Sequence, residues 1–205
     1  GHSDALLVKA GSGLATFGTS SSAGVPDSFA GQTIVLPFDD EEALQEAFDR
    51  RGSELACAIV EPLPGNNGLL EQRPEWLCRL RELCTEHGAL LVFDEVISGF
   101  RLRYGGYGQM VEITPDLVTL GKIIGGGMPV GAVAGPRDLM ARFSPEGDVY
   151  QAGTLSGNPV AMAAGCATLD VLRKSDVYET LEQRVRTLDE AIVAAATSRP
   201  WLRAR

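Results

Sequence analysis

Leu90-Leu91-Val92-Phe93-Asp94-Glu95 decides the fold. Four apolar residues run without a polar break and end on two acids. A strand with one wet face alternates polar with apolar, whereas an unbroken run implies cover on both faces, as in a parallel sheet between helices. This strand is predicted over Ala89–Phe93, and three more runs read alike: Ala56–Val60, Leu117–Leu120 and Gly131–Ala134. Helical patterns lie between some of them. Asp39-Asp40-Glu41-Glu42 reads as a capping box, with Asp39 capping and Glu42 reaching back; Leu44, Ala47, Phe48 and Arg51 then share a face until Gly52. Pro74 suits the first turn of a second helix, with Trp76-Leu77, Leu80, Leu83 and Cys84 on one stripe and Gly88 as its stop. Asn158-Pro159 opens a helix of small residues running to Arg173, and Ser175-Asp176 caps another running towards Ala196. The class is α/β.

The 205 residues are 44% hydrophobic and 22% charged, which excludes a disordered tail, a collagen-like repeat and a coiled coil. No apolar run reaches the roughly 18 residues of a membrane helix, and no secretory leader is read at the start. The expectation is a cytoplasmic protein with neither membrane nor nucleic acid as partner, since a net charge of −9 lacks the basic face that nucleic acid needs. Cys57, Cys78, Cys84 and Cys166 form no C-x-x-C pair and only His2 and His87 accompany them, so no metal site is expected and the thiols read as reduced.

Three ionisable residues stand at or just beyond strand ends: Glu61, Asp94 and Lys122. Ligands of open α/β sheets bind outside the carboxyl ends of the strands, so these three converge on one crevice unless they merely mark where strands surface. The run ending in Asp94-Glu95 also resembles a Walker B strand, but a nucleotide hydrolase needs its glycines before the lysine. Here Gly121-Lys122 is followed by Ile123, with Gly125-Gly126-Gly127 downstream. A lysine flanked by glycine backbone suits a Schiff base to a carbonyl cofactor, and an acid on a neighbouring strand suits the ring nitrogen of such a cofactor.

Val60-Glu61-Pro62, Gly65-Asn66, Phe93-Asp94-Glu95-Val96, Gly99-Phe100-Arg101, Thr114-Pro115-Asp116-Leu117, Gly121-Lys122-Ile123-Ile124-Gly125-Gly126-Gly127 and Gln151-Ala152-Gly153-Thr154-Leu155-Ser156-Gly157-Asn158-Pro159 together resemble class III pyridoxal-phosphate aminotransferases. Within that class the pattern is most similar to the glutamate-1-semialdehyde aminomutases. Ordinary class III transaminases read Gly-Phe-Gly-Arg and His-Gly-x-Thr, where this chain has Gly99-Phe100-Arg101 and Gln151-Ala152-Gly153-Thr154. The opening Gly1-His2-Ser3-Asp4 and Val8 to Gly13 also fit, which makes Gly1-His2 native sequence, not a tag scar.

The resemblance implies the large domain of fold type I, the aspartate aminotransferase-like three-layer architecture with a mainly parallel sheet. Residues 1–174 would form the central part of that domain and 175–205 a helix leading into a small domain. The family's phosphate cup and ring-stacking aromatic would precede Gly1, its gating acid would follow Arg205, and the chain would be about half of such an enzyme. Lys122 is implied as the Schiff-base lysine and proton shuttle, and Asp94 as partner of the pyridine nitrogen. Val96 would pack on the ring face, Asn66 would lie by the phenolic oxygen and Glu61 would share that polar network. Gly153 and Thr154, with a supporting part for Tyr150, would bind phosphate across a homodimer interface. The implied cofactor is pyridoxal 5'-phosphate, cycling through its pyridoxamine form, with a small-molecule substrate. Gly11-Ser12-Gly13 looks like a phosphate cup, but the resemblance implies that it opens a separate, mobile segment near the substrate side; His2 and His87 read as structural, and Trp76 and Trp201 as packing residues. Val133-Ala134, Asn67 and Ser98 depart from the commonest mutase residues, Tyr-Gly, Met and Thr. The alternatives are a two-substrate class III transaminase and a non-catalytic remnant of the fold.

Overall fold

The computed structural model describes residues 3–9, 16–17, 19–66, 68–197 and 199. Glycines 11 and 13, Ser12, His2, Asn67 and Trp201 lie outside them. Near the start, strands β1 (Val8–Lys9) and β3 (Thr19–Ser20) pair antiparallel, as do β2 (Thr16–Phe17) and β4 (Ile34–Val35), with the one-turn helix α1 (Asp27–Ala30) between.

Four strands form the central sheet in sequence order: β5 (Cys57–Val60), β6 (Leu90–Asp94), β7 (Leu117–Leu120) and β8 (Ala132–Ala134). The first two pairings are parallel and the last is antiparallel. A parallel return needs a crossover of about a dozen residues, usually helical. Residues 121–131 hold a 3-10 turn at Lys122–Gly125 and a reversal instead, so β8 comes back beside β7 in the opposite sense.

Helices α2 (Glu41–Arg51) and α3 (Pro74–His87) cover one sheet face. The predicted stripe of α3 is the buried one: Trp76, Leu77, Leu80, Leu83 and Cys84 meet Val60, Leu91 and Phe93 from the strands and Leu44 and Phe48 from α2. Burying each large aliphatic side chain is worth about 1.5–3 kcal/mol. Gly88, at φ +72°, ends the helix as expected.

Two local expectations are corrected. Asp40, not Asp39, caps α2, its Oδ1 accepting the Ala43 N–H at 2.9 Å. The Asp39 carboxylate is held instead by Arg73 Nε, 2.9 Å from either oxygen, so Glu42 falls one position short of the capping box. Gly52 follows α2 in right-handed backbone (φ −51°), so its lack of a side chain does not serve a left-handed stop. A Cβ there would lie 2.2 Å from His87 Nδ1: the glycine makes room for the imidazole that packs on Phe48.

Downstream, α4 (Arg137–Met140) precedes α5 (Pro159–Leu172), whose cap Asn158 accepts from Val160 and Ala161 N–H groups, and α6 (Ser175–Thr197) follows. No helix among the described residues is long and apolar enough to cross a membrane.

Candidate active site

Parallel register puts three predicted residues at one edge of the sheet. Val60 pairs with Phe93 and Asp94 with Thr119, so Glu61 follows β5 at the level where Asp94 closes β6. Lys122 comes three residues after Thr119. Asp94 and Thr119 share the sheet face opposite α3, because Leu91 and Phe93, two positions apart, lie in the α3 core.

Asp94 is half-buried and held on one side. Its Oδ1 accepts the Val96 N–H at 3.1 Å and the Thr119 hydroxyl at 3.2 Å. Its Oδ2 takes no hydrogen bond among the described residues. Thr119 was not singled out from the sequence; the signal was one hydroxyl in the otherwise aliphatic run Leu117-Val118-Thr119-Leu120.

Lys122 opens the 3-10 turn with φ +45°, a left-handed backbone that costs a residue with a Cβ about 1–2 kcal/mol. Such strain concentrates at functional sites, where the surroundings over-determine it. Here Gly121 lies so close to Val96 that a Cβ on it would be 3.3 Å from Val96 Cγ1. Val96 therefore sits between the ends of β6 and β7, beside both Asp94 and the lysine turn.

Asn66 is exposed in the loop after β5. Its neighbour Gly65 abuts Ile97, with an ideal Cβ 2.7 Å from Ile97 Cγ2, which brings that loop to the end of β6. Gly153 and Thr154 lie in an exposed turn before α5, closed by Ser156 N–H donating to Gly153 C=O at 2.8 Å. No hydrogen bond among the described residues ties Asn66, Gly153 or Thr154 to Asp94 or Lys122. Tyr150 is 82% exposed, open to a ligand or a second chain.

Glu95 is the second residue that sequence reading left without a part. Its side chain points to the other face, 1% exposed, and accepts Tyr107 N–H at 2.5 Å, Gly108 N–H at 3.1 Å and Ser98 hydroxyl at 3.3 Å. It ties the loop carrying Gly99-Phe100-Arg101 to the strand that presents Asp94. The loop is also fastened to the last helices: Tyr178 donates to Phe100 C=O at 2.9 Å, and the Arg173 guanidinium lies over the Tyr104 ring.

An acid that closes one parallel strand and a lysine just beyond the end of the next stand where open α/β sheets bind ligands. A model of the class-III aminotransferase family matches residues 1–201, and the chain belongs to that family. Among curated relatives, glutamate-1-semialdehyde 2,1-aminomutase of Desulfosudis oleivorans is 55% identical over 196 residues, 96% of this chain and 46% of the relative. The enzyme of the same name from Aquifex aeolicus is 54% identical over 192 residues, 94% of this chain and 45% of the relative. Among solved structures, a transaminase with PLP bound superposes with a TM-score of 0.86 at 35% identity, over 97% of this chain and 47% of that one. An omega-transaminase from Sphaerobacter thermophilus gives 0.83 at 36%, over 96% and 47%. The chain thus spans about half the length of the proteins it matches.

Proposed function

We propose that this chain carries the cofactor-holding centre of a glutamate-1-semialdehyde 2,1-aminomutase. Such an enzyme moves an amino group within one five-carbon molecule and yields 5-aminolevulinate for tetrapyrrole synthesis. The observation that carries the reading is the half-used carboxylate of Asp94, anchored through Oδ1 and open at Oδ2, on the strand next to the one that leads into the Lys122 turn.

These residues fit pyridoxal phosphate, which supplies an electron sink and a carbonyl–amine pair when bound. Asp94 would hold the proton on the ring nitrogen, because an adjacent negative charge raises a base's pKa. Lys122 Nζ would hold the cofactor covalently and move a proton at the substrate carbon, a role typically worth about 10² to 10⁴-fold. Val96 would bear on one face of the ring and keep water from it. Asn66 and Glu61 would orient the oxygen side of the ring. Gly153 and Thr154 would offer N–H and hydroxyl groups to the phosphate, in a homodimer whose sites are shared. Residues 1–174 would belong to the large domain, 175–205 would lead into a smaller one, and the protein would be cytoplasmic.

The test uses the protein that carries this chain, incubated with pyridoxal phosphate and reduced with borohydride. A reduced adduct on Lys122, absent from Lys122→Ala, is expected. The pyridoxamine-loaded protein should then convert the semialdehyde with no added amino donor. The similar solved structures are transaminases, so a strict need for a second amino compound would move the assignment to a two-substrate transaminase. No adduct in the intact protein would favour a non-catalytic remnant.

A further inference from the structure

We infer that helix α5 is the positioning surface for Lys122, and that Gly165 sets where the lysine turn rests. The inference builds on the proposal that Lys122 holds the cofactor. A glycine in mid-helix is unfavourable, so a close approach must repay it. A Cβ on Gly165 would stand 2.8 Å from the carbonyl oxygen of Ile124, two residues beyond the lysine. From the turn's side, a Cβ on Gly126 would stand 3.1 Å from Ala164 C=O and 2.1 Å from Thr168 Oγ1. Thr168 is itself fixed, donating to Ala164 C=O at 2.8 Å. Turn and helix thus meet backbone to backbone.

The turn is also packed at Gly121 and Gly125. Gly121 lies against Val96, and an ideal Cβ on Gly125 would be 3.4 Å from Val130. With Gly121, Gly125 and Gly126 all closely packed and φ already at +45°, Lys122 has little room for local adjustment. A methyl group at 165 meets the Ile124 carbonyl oxygen, so turn and helix must be pushed apart, and a displaced turn takes the lysine with it. Misplacing a reacting group by about 1 Å can cost on the order of 10²-fold.

Gly165→Ala is the direct test, measured in the protein that carries this chain. Two readouts are used: the rate of borohydride-trapped pyridoxal phosphate on Lys122, and hydrogen exchange at the Ile123–Gly126 amides without cofactor. Trapping tenfold or more slower than wild type, with altered exchange in the turn, is expected. Ala163→Gly weakens the same helix on its exposed side and should leave both unchanged. Thr168→Ala, which only removes atoms beside Gly126, covers the case in which Gly165→Ala does not fold, and should speed exchange in the turn. Wild-type-like trapping and exchange in Gly165→Ala, or an equal loss in Ala163→Gly, would overturn the inference; so would unchanged exchange in Thr168→Ala. Failure of the wild-type protein to form an adduct at Lys122 would instead strike the proposal beneath it.

Discussion

Replacing Glu95 by glutamine keeps its shape and removes its charge, and two effects then compete. Burying a carboxylate with no cation beside it is costly, so neutralisation could stabilise the fold. The hydrogen bonds say otherwise. Oε2 accepts from Tyr107 N–H and Ser98 hydroxyl, and Oε1 from Gly108 N–H. Whichever way the amide is turned, its NH2 faces one of two backbone donors, and at 1% exposure no water replaces the lost acceptor. An orphaned buried donor costs about 1–3 kcal/mol, and weakening the surviving charge-assisted bonds adds about 1 kcal/mol. Glu95→Gln should therefore destabilise by about 2–4 kcal/mol, which for a chain of this size lowers Tm by roughly 5–15 °C. Urea and thermal unfolding measure it, and faster hydrogen exchange at Tyr107 and Gly108 localises it. Ser98→Ala, which removes only a rotatable donor, should cost about 1 kcal/mol. Glutamine equal to or more stable than glutamate would mean that desolvation outweighs geometry, and the reasoning would fail.

Asp116 Oδ2 accepts both the Leu91 N–H and Arg81 Nη1, each at 2.7 Å. Asp116→Ala should cost about 1–3 kcal/mol by orphaning the first, and a cycle with Arg81→Ala should show positive coupling in urea melts. Burial pushes the Cys84 thiol from 9.0 to about 11. Native alkylation near pH 8 should spare Cys84 while the exposed Cys78 and Cys166 react, as peptide mapping would show. Because the folded pKa is the higher one, the folded state keeps a proton that the unfolded state releases; stability should fall by about 2 kcal/mol from pH 9 to 11, and Cys84→Ala should flatten that slope. Gly52→Ala drives a methyl into the His87 ring and should lower Tm by several degrees, with Gly52→Ala/His87→Ala losing less than the two single changes summed.

The four central strands and the stripe of α3 were legible from their apolar runs, but the cover on both faces expected of each strand was not borne out: β8 is exposed throughout and β5 is buried only at Val60. Pairing direction was not legible, since Gly131–Ala134 reads alike forwards and backwards; only the short, glycine-rich connection argues for a reversal. The shift of the α2 cap from Asp39 to Asp40 depends on Arg73, 34 positions from Asp39, whose claim on that carboxylate no local pattern reveals. Glu61, Asp94 and Lys122 were found because charge at a strand end is conspicuous. Gly165 was legible as one of the small residues that let its helix pack closely, but its neighbour was not, and Thr119 was missed because its contact is with a residue distant in sequence.

The acid pair that ends β6 also bears on the nucleotide-hydrolase reading. In that chemistry both acids must face the phosphates: one holds magnesium and the other addresses water. Successive side chains of a strand leave on opposite faces. Asp94 goes to the open edge beside Thr119, while Glu95 goes inward, enclosed by a loop whose Gly106 approaches so closely that a Cβ there would be 2.6 Å from its Oε1. A carboxylate with that loop closed over it cannot address a water on a bound nucleotide unless residues 98–109 are first torn away. One strand end thus has two duties. Under the proposed function the open acid would meet a cationic ring, while the buried acid holds the loop to the strand.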